Sequence, residues 1–421
     1  MRGKQTITAL DIGTTKICVL IAVTTDEDKY EVKGIGISKS EGISNGQVTD
    51  IMKTAKSIQK ALKEAEEMAG TKPKNIYVGI AGDHIKSQNT MGRISLTSGT
   101  DACEITSEHV ENVLSNSKNN VKLQPGNDRL EIIHAIPQYF DIDEMKGIMN
   151  PLRMSGFNLT AHVHIVMADK TALTNIRKCV EICGHKVNDI FLEPIASSYS
   201  VLNEVEKNLG SILIDIGGGT TDIAVFYKDS IRFSAVLPIG GTNITQDLAI
   251  GLHTSPFNAE ELKISLGNAI AQQLPDDKYV EISGISGRES KKKKLRYISE
   301  IIEARMREIL ETAYRLLNDE YNLAMITAGL TMTGGASLLK NSEHLAREIF
   351  NMSAKIGYPD LSLLSGATDR LESPKFATAV GILYQAFQEE LEADIVSNTI
   401  AKPDAFTAMI KKVLNNFKEY F

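Results

Sequence analysis

The sequence predicts a mixed α/β protein built from two related domains that face each other across a cleft. Two observations lead there. A strand, a tight Gly-Thr turn and a second strand open the chain as ITALDIG, TT and KICVLIAV, and the same scheme returns from Ser211 as SILIDIGGGTTDIAVFY. A duplicated domain pair is the economical explanation. Around these hairpins, apolar runs of strand period alternate with stretches of helical period, the pattern of a mixed fold.

The 421 residues suffice for two cores. A composition of 42% hydrophobic and 24% charged residues is that of a folded chain. The net charge of −7, from 46 basic and 53 acidic side chains, argues against nucleic acid as a partner unless a local basic patch overrides it. No run approaches the ~18 apolar residues of a spanning helix, and Met1 to Ile12 lacks the apolar core of a signal peptide, so the expected location is the cytoplasm. The four cysteines, Cys18, Cys103, Cys179 and Cys183, are too few and scattered for a disulfide framework. Cys179, Cys183 and His185 lack a fourth metal ligand, and their spacing suits a buried helix face. His162 and His164 alternate within AHVHIVMA as the polar positions of a strand do, a structural role.

Along the chain, YEVKGIGIS continues the opening hairpin as a third strand. Thr49 to Met68 has helical spacing with Gly70 as its stop, and NIYVGIAG follows as a strand. From about Asp83 to Met167 polar stretches such as SNSKNNVKLQPGNDR interrupt short strands and a helix, the texture of an inserted small domain. Next come a helix over Lys170–Cys183, the strand VNDIFLEP and a helix over Ile195–Leu209. The second hairpin, a helical region over Asn243–Asn318, a strand ending TMTGGAS, and helices around Glu343 and Ala377 complete the body.

An aspartate closing a buried strand, followed at once by Gly and Thr, brings a carboxylate and several backbone N–H groups to one point. Glycine admits a phosphate without a Cβ in the way, and threonine hydroxyls add donors. Asp11, Gly13, Thr14, Thr15 and Lys16 form one such turn; Asp215, Gly217, Gly218, Gly219, Thr220, Thr221 and Asp222 form the other. Facing each other, they would hold a polyphosphate from both sides, with Asp11 and Asp215 anchoring Mg2+ through its water shell. One Asp-x-Gly turn is often only a hairpin; two copies carry more weight. Neither GxxxxGK[ST] nor a GxGxxG opening a helix after a strand is present. Lys16 reads equally as a phosphate ligand and as a solvated strand residue. Glu193, ending an apolar strand before Pro194, either points into the cleft or caps the next helix.

Five motifs in one order resemble those of the actin-like ATPases and cover nearly the whole chain. LDIGTTK is similar to the first phosphate loop, FLEPIASSYSVL to the first connecting segment, IDIGGGTTD to the second phosphate loop, LTMTGGASLLKN to the adenosine loop with Gly334 and Gly335, and ATAVGILYQA to the second connecting helix. Three further stretches resemble the FtsA branch of that superfamily. In LPIGGTNITQDLAIGLHTSPFNAEELKISLGNA, Glu260 and Lys263 stand where the family's Glu and Lys meet the nucleoside. GIMNPLRMSGFNLTAHVHIVMA is similar to the end of the inserted subdomain 1C, and the C-terminus is similar to the family's linker and membrane-targeting helix.

The resemblance implies an actin-like fold with subdomain 1A over 1–83 and 168–194 with part of 375–390, the inserted 1C over 84–167, 2A over 195–242 and 328–374, and 2B over 243–327. A linker over 391–404 and an amphipathic helix over 405–421 follow. It further implies ATP with Mg2+, Glu193 (with Asp11) as the polarising carboxylate for the attacking water, and slow or negligible hydrolysis. The implied partners are a second copy of the chain, the C-terminal tail of the tubulin-like FtsZ, an anionic membrane surface, and other division proteins through 1C. The implied place is the inner face of the cell membrane at the division site. Arg288, Lys291 to Lys294 and Arg296 read either as a solvated loop or as a patch for an acidic peptide. A sugar or acetate kinase would need a catalytic aspartate and substrate pocket for which no motif is found. A chaperone would need a further domain after about residue 390, and a PilM-type pilus adaptor should lack the terminal helix.

In that last segment Phe406, Met409, Ile410, Val413, Leu414, Phe417, Tyr420 and Phe421 recur at helical spacing, with Lys411, Lys412, Asn415, Asn416, Lys418 and Glu419 between them. A helix docked on the body would have the same pattern. Lys402-Pro403, the acidic stretch before it and the aromatic end favour a tethered helix lying in a membrane surface.

Overall fold

The computed structural model describes residues 5–25, 29–97, 99–285 and 288–400, with side chains up to residue 390 in the last helix. The chain opens on β1 (Thr6–Ile12), β2 (Lys16–Thr24) and β3 (Tyr30–Lys39), whose apolar runs are buried on both faces. A small hairpin of β4 (Ile43–Ser44) and β5 (Gln47–Val48) leads into α1 (Ile51–Ala69) and β6 (Ile76–Ile80). Asp50 starts α1 by accepting a hydrogen bond from the Lys53 N–H, and Gly70, at φ 64°, ends it in the left-handed region.

An inserted domain follows: β7 (Ile85–Ser95), β8 (Cys103–Glu104), α2 (Ser107–Lys122), β9 (Leu130–Ile142), β10 (Met145–Ile148), β11 (Ser155–Gly156) and β12 (Asn158–Asp169). Its four-stranded sheet, ordered β10-β9-β12-β7, has its own core, with Val110 and Val113 of α2 clustered with Phe140, Leu159 and Val163. The chain then passes through α3 (Lys170–Ile182) to β13 (Val187–Leu192) and enters the second domain at α4 (Glu193–Val201).

After α5 (Glu204–Leu209) come β14 (Ser211–Ile216), β15 (Thr221–Tyr227), β16 (Ser230–Leu237), α6 (Gly241–Leu252) and α7 (Pro256–Leu266). Next are β17 (Tyr279–Ile282), β18 (Lys291–Lys294), α8 (Leu295–Glu320), β19 (Gly329–Thr333) and α9 (Ser342–Phe350). The chain finishes with β20 (Ala354–Ile356), β21 (Leu364–Gly366) and α10 (Ala377–Ile400).

The two main sheets are ordered β13-β6-β1-β2-β3-β21 and β16-β15-β14-β19-β20. In each, the strand that carries the turn aspartate pairs antiparallel with its hairpin partner and parallel with a strand on its other side, β1 with β6 and β14 with β19. The duplication read from the two hairpins is thus one of topology. Between the sheets α4 and α10 pack closely: a Cβ at Gly381 would lie 1.9 Å from the Ala196 carbonyl oxygen, so only glycine permits this approach.

Three local readings are corrected. The helix expected over Ile195–Leu209 is two, because Leu202 is extended at φ −110° and Asn203 restarts the helix in a capping box with Glu206. The helical region from Asn243 contains the β17–β18 hairpin. Lys291 to Lys294 are therefore a strand rather than a loop, with Lys293 opposite Val280 and Lys291 opposite the buried Ile282. Residues 391–400, expected as the start of a linker, continue α10 to Ile400 through Glu, Leu and Ala with no proline before Pro403. The membrane residues Phe406, Met409, Ile410, Val413, Leu414, Phe417 and Phe421 lie outside the described residues. Among the described residues no helix is long and apolar enough to cross a membrane.

Candidate functional site

β1 and β14 each carry an aspartate close to their ends, and both carboxylates are nearly buried, Asp11 at 5% and Asp215 at 6% exposure. The turns that follow close identically, Gly13 N–H donating to the Lys16 carbonyl and Gly217 N–H to the Thr220 carbonyl, each at 3.0 Å. They meet face to face. A Cβ at Gly218 would fall 2.4 Å from Thr15 Cγ2, and one at Gly219 2.5 Å from Thr14 Oγ1, so the second turn must be glycine to sit against the first.

Below this contact lies a cavity of about 500 Å³. Of the residues expected from sequence, Asp11, Gly13, Thr14, Thr15, Lys16 and Glu193 line its first-domain side. Asp215, Gly217, Gly218, Thr220, Glu260, Lys263, Gly334 and Gly335 line the second-domain side. Gly219 and Thr221 are not brought to the wall. Gly219 is buried against Thr14, and the Thr221 hydroxyl donates to the Ile239 carbonyl at 2.7 Å, because alternation along β15 turns it away.

Sequence reasoning took Asp222 only as the end of the second turn and assigned no role to Thr242 or Thr378, which also line the cavity, or to Ser197 behind it. Asp215 Oδ2 accepts from the Ser197 hydroxyl at 2.8 Å and from the Thr378 hydroxyl at 3.2 Å, tying the second turn to α4 and α10. Asp222 follows Thr221 in the quoted motif, and its place opposite Asp215 in the β14–β15 register was the available signal. The Asp222 Oδ1 and Thr242 Oγ1 atoms are buried without a partner among the described residues.

Lys16 Nζ donates to Asp11 Oδ2 at 2.9 Å and lies 5.2 Å from the Phe376 ring centre, which places it in the cleft rather than in solvent. Glu193 is the first residue of α4, whose cap position is Leu192, and its side chain lies in the cavity wall. The Leu192 N–H donates to Nε2 of the half-buried His134 at 2.9 Å, so a histidine of the inserted domain fixes the backbone just ahead of Glu193. At the other end, Lys263 Nζ pairs with Glu260 Oε2 at 2.7 Å and donates to the Gly241 carbonyl at 2.9 Å.

Electrostatically the site is short of positive charge. Burial raises Glu193 well above the usual carboxylate range, with Asp11, Asp222 and Asp215 adding to it. Burial and then Asp215 raise Asp222. Burial pushes Asp215 up to about 6, against the hydroxyls of Ser197 and Thr378 and with help from Asp11. For Lys16 burial acts downward, but Asp11, with Cys18 and Asp215 adding to it, holds the ammonium above its ordinary value. Burial lowers Lys263 despite Glu260. Among the described residues no three His, Cys, Asp or Glu are grouped tightly enough to hold a metal directly.

Two hairpin-bearing sheets on either side of a cleft, joined by crossing helices, define an actin-like protein. Solved structures agree on that fold. The chain is 15% identical to one in the PilM-PilN type IV pilus biogenesis complex, covering 90% of this chain and 98% of that one at a TM-score of 0.65. It is 14% identical to MreB 5 of Spiroplasma citri bound to AMPPNP, covering 93% and 100% at a TM-score of 0.55. Residues 82–167 match the family described as "SHS2 domain inserted in FTSA", and residues 212–381 that described as "Cell division protein FtsA". Among curated relatives, the cell division protein FtsA of Pseudomonas aeruginosa is 38% identical over 388 residues, 92% of this chain and 90% of its own. That of Escherichia coli K12 is 33% identical over 402 residues, 93% and 92%. The chain belongs to the FtsA family of cell-division proteins.

The raised Asp215 gives a stability prediction. A carboxyl whose folded-state pKa lies above its unfolded value favours the folded state fully below about pH 4. That contribution is lost as pH rises through about 6. Asp215→Asn should therefore stabilise the nucleotide-free protein at pH 8 by about 1–3 kcal/mol and have little effect at about pH 4, measured by urea denaturation. Equal destabilisation at both pH values would mean that the hydroxyl contacts, not the buried charge, dominate at this position.

Proposed function

We propose that this chain binds Mg2+-ATP in the cleft, self-associates, and links FtsZ filaments to the inner face of the cell membrane at the division site. The observation that carries this reading is the direct apposition of the two Gly-Thr turns at the head of a buried, acid-rich cavity. The residues present fit such a ligand. The turns offer backbone N–H groups and threonine hydroxyls, Asp222 and Thr242, each with an unpartnered buried oxygen, line the same space, and glycine at 218 lets the second turn sit against the first. MreB 5 of Spiroplasma citri, solved with ADP and with AMPPNP, lends the reading support through its shared fold.

In this reading Gly13 to Lys16 and Gly217 to Thr220 hold the phosphates, and Glu260, Lys263, Gly334 and Gly335 hold the nucleoside. Bound Mg2+ would supply the positive charge that the cluster lacks, held by Asp11 and Asp215 through water. Glu193 accepts a proton from, and so polarises, a water at the phosphate end. Its raised pKa leaves less of it as the carboxylate that can take a proton, which agrees with slow hydrolysis. Asn at position 11 or 215 keeps the shape and removes the charge, and should weaken Mg2+-ATP binding by about 10–100-fold in titration calorimetry. Parental affinity in Asp215→Asn would remove the metal site.

The FtsZ tail is assigned to the region of α6 to α8. There Lys293 Nζ lies 5.5 Å from the Tyr297 ring centre, and Ile250 and Phe257 are 73% and 71% exposed. Neutralising Lys291 to Lys294 to Gln should weaken binding of an FtsZ-tail peptide several-fold at low salt and flatten its salt dependence. Unchanged affinity at low salt would leave the strand a solvated edge.

Membrane attachment is assigned to 405–421. Each large apolar side chain contributes about 1.5–3 kcal/mol at most on burial, so eight partly buried ones supply on the order of 10 kcal/mol before ordering costs. The lysines add about 1 kcal/mol each near anionic lipid, offset in part by Glu419. Truncation after Ala401, or Phe406→Glu with Phe417→Glu, should abolish sedimentation with phosphatidylglycerol liposomes and leave Mg2+-ATP binding intact. Sedimentation of the truncated chain would place the anchor elsewhere and favour a PilM-type adaptor. The inserted domain is read as a docking element for other division proteins.

A further inference from the structure

A second cavity, of about 460 Å³, opens between the inserted domain and the β15–β16 turn of the second domain. Its floor is a layer of stacked rings and cations. Tyr139 and His162 stack with centres 4.1 Å apart. The Arg232 guanidinium lies 5.2 Å from the Tyr139 centre and 5.9 Å from that of Tyr227. Lys228 Nζ sits 5.5 Å from the Tyr227 centre, and Lys146 joins the same wall. The acidic lining residue, Asp141, is already engaged, its Oδ2 lying 2.8 Å from His162 Nε2.

Arg232 is half-buried, and its Nε donates to the Tyr227 carbonyl at 3.0 Å. No carboxylate among the described residues forms an ion pair with it, and the groups acting on it electrostatically are Tyr321, Tyr139 and Tyr227. A half-buried guanidinium set beside two tyrosine rings, its outer fork without an ion-pair partner among the described residues, is an expensive arrangement for a protein that needs only a solvated surface there. Its planar fork matches a carboxylate bidentately while the rings take an apolar neighbour. In a chain of net charge −7, a recess with three cations around one engaged aspartate is a local reversal of sign.

We propose that this groove binds an acidic peptide segment of a partner protein, a carboxylate side chain seated on Arg232 between Lys146 and Lys228, with an apolar or aromatic neighbour against Tyr139. A peptide fits better than a lipid surface because the floor is recessed between two domains, where a strand of chain can enter and a planar bilayer cannot. The groove has walls on both sides of a domain junction that is itself hydrogen-bonded. His164, 1% exposed, bridges Asn89 Oδ1 at 2.8 Å and Ser234 Oγ at 2.9 Å, and Gln138 Nε2 donates to the Ile231 carbonyl at 2.8 Å. An occupant that touches both walls resists their separation, so binding is sensitive to how the inserted domain sits against the second domain. This proposal deepens the docking role read for the inserted domain and is independent of the nucleotide site.

The test is fluorescence anisotropy with labelled peptides, decaglutamate carrying one central tyrosine and the lysine counterpart, on the full chain carrying Lys291→Gln to Lys294→Gln to silence the other basic run. The expected result is saturable binding of the acidic peptide alone, weakened at least tenfold by Arg232→Gln and by the rim reversal Lys146→Glu, and unchanged by Lys118→Gln on α2. Mg2+-ATP affinity measured in the same variants should stay at the parental value. Binding indifferent to both Arg232→Gln and Lys146→Glu would overturn the proposal, as would displacement of the peptide by phosphatidylglycerol vesicles or by millimolar phosphate. Arg232→Gln is compared by melting temperature with its parent; if it is unfolded, Lys146→Glu, on an exposed rim, decides alone. No binding of the acidic peptide to the parent would overturn the groove while leaving docking elsewhere on the inserted domain standing.

Discussion

The contact of one Gly-Thr turn with the other, Gly218 against Thr15 and Gly219 against Thr14, is the constraint on which the rest of this structure depends. Bringing the turns together also brings together the aspartates that precede them, along with Glu193 and Asp222, in a space from which water is largely removed. Like charges in such a place oppose folding. The chain offsets this only in part, with Lys16 on Asp11 and the hydroxyls of Ser197 and Thr378 on Asp215. What remains is an excess of negative charge and unpartnered oxygen, a strain kept where a cation-bearing ligand would relieve it.

The groups that hold this arrangement come from distant parts of the chain. Ser197 belongs to α4, Thr378 to α10, and the two helices approach closely because position 381 is glycine. His134, from the inserted domain, accepts the N–H of Leu192 immediately before Glu193, and burial keeps it neutral by pushing it down to about 4. A displacement of the inserted sheet would therefore be felt at the start of α4. Together with the His164 bridge to Ser234, this joins the inserted domain both to the cleft and to the outer strand of the second domain.

Much of this was legible because it is local. The two turns, the stop of α1 at Gly70, and the apolar strands follow from residue order alone. The place of Glu260 and Lys263 came from the resemblance to the family's motif. What escaped the sequence is what depends on long-range registration. Asp222 was visible in the motif, but its burial opposite Asp215 needs the β14–β15 pairing; Ser197, Thr378 and His134 reach the site from other elements. The lysine run misled because four like charges disfavour a strand, yet an exposed two-stranded hairpin with Val280 and Ile282 on the partner strand accommodates them. The break at Leu202 was masked by continuous helical composition and was signalled only by the Asn203 to Glu206 capping box.

The central claim is that both turns grip one ligand at once. Hydrogen exchange at the amides of residues 12–17 and 216–221, with and without Mg2+-ATP, tests it most directly. The account predicts that both segments slow together and at the same ligand concentration, with α7 protected alongside them. Protection confined to one turn, or reached at separate concentrations, would contradict a shared phosphate site between the two domains.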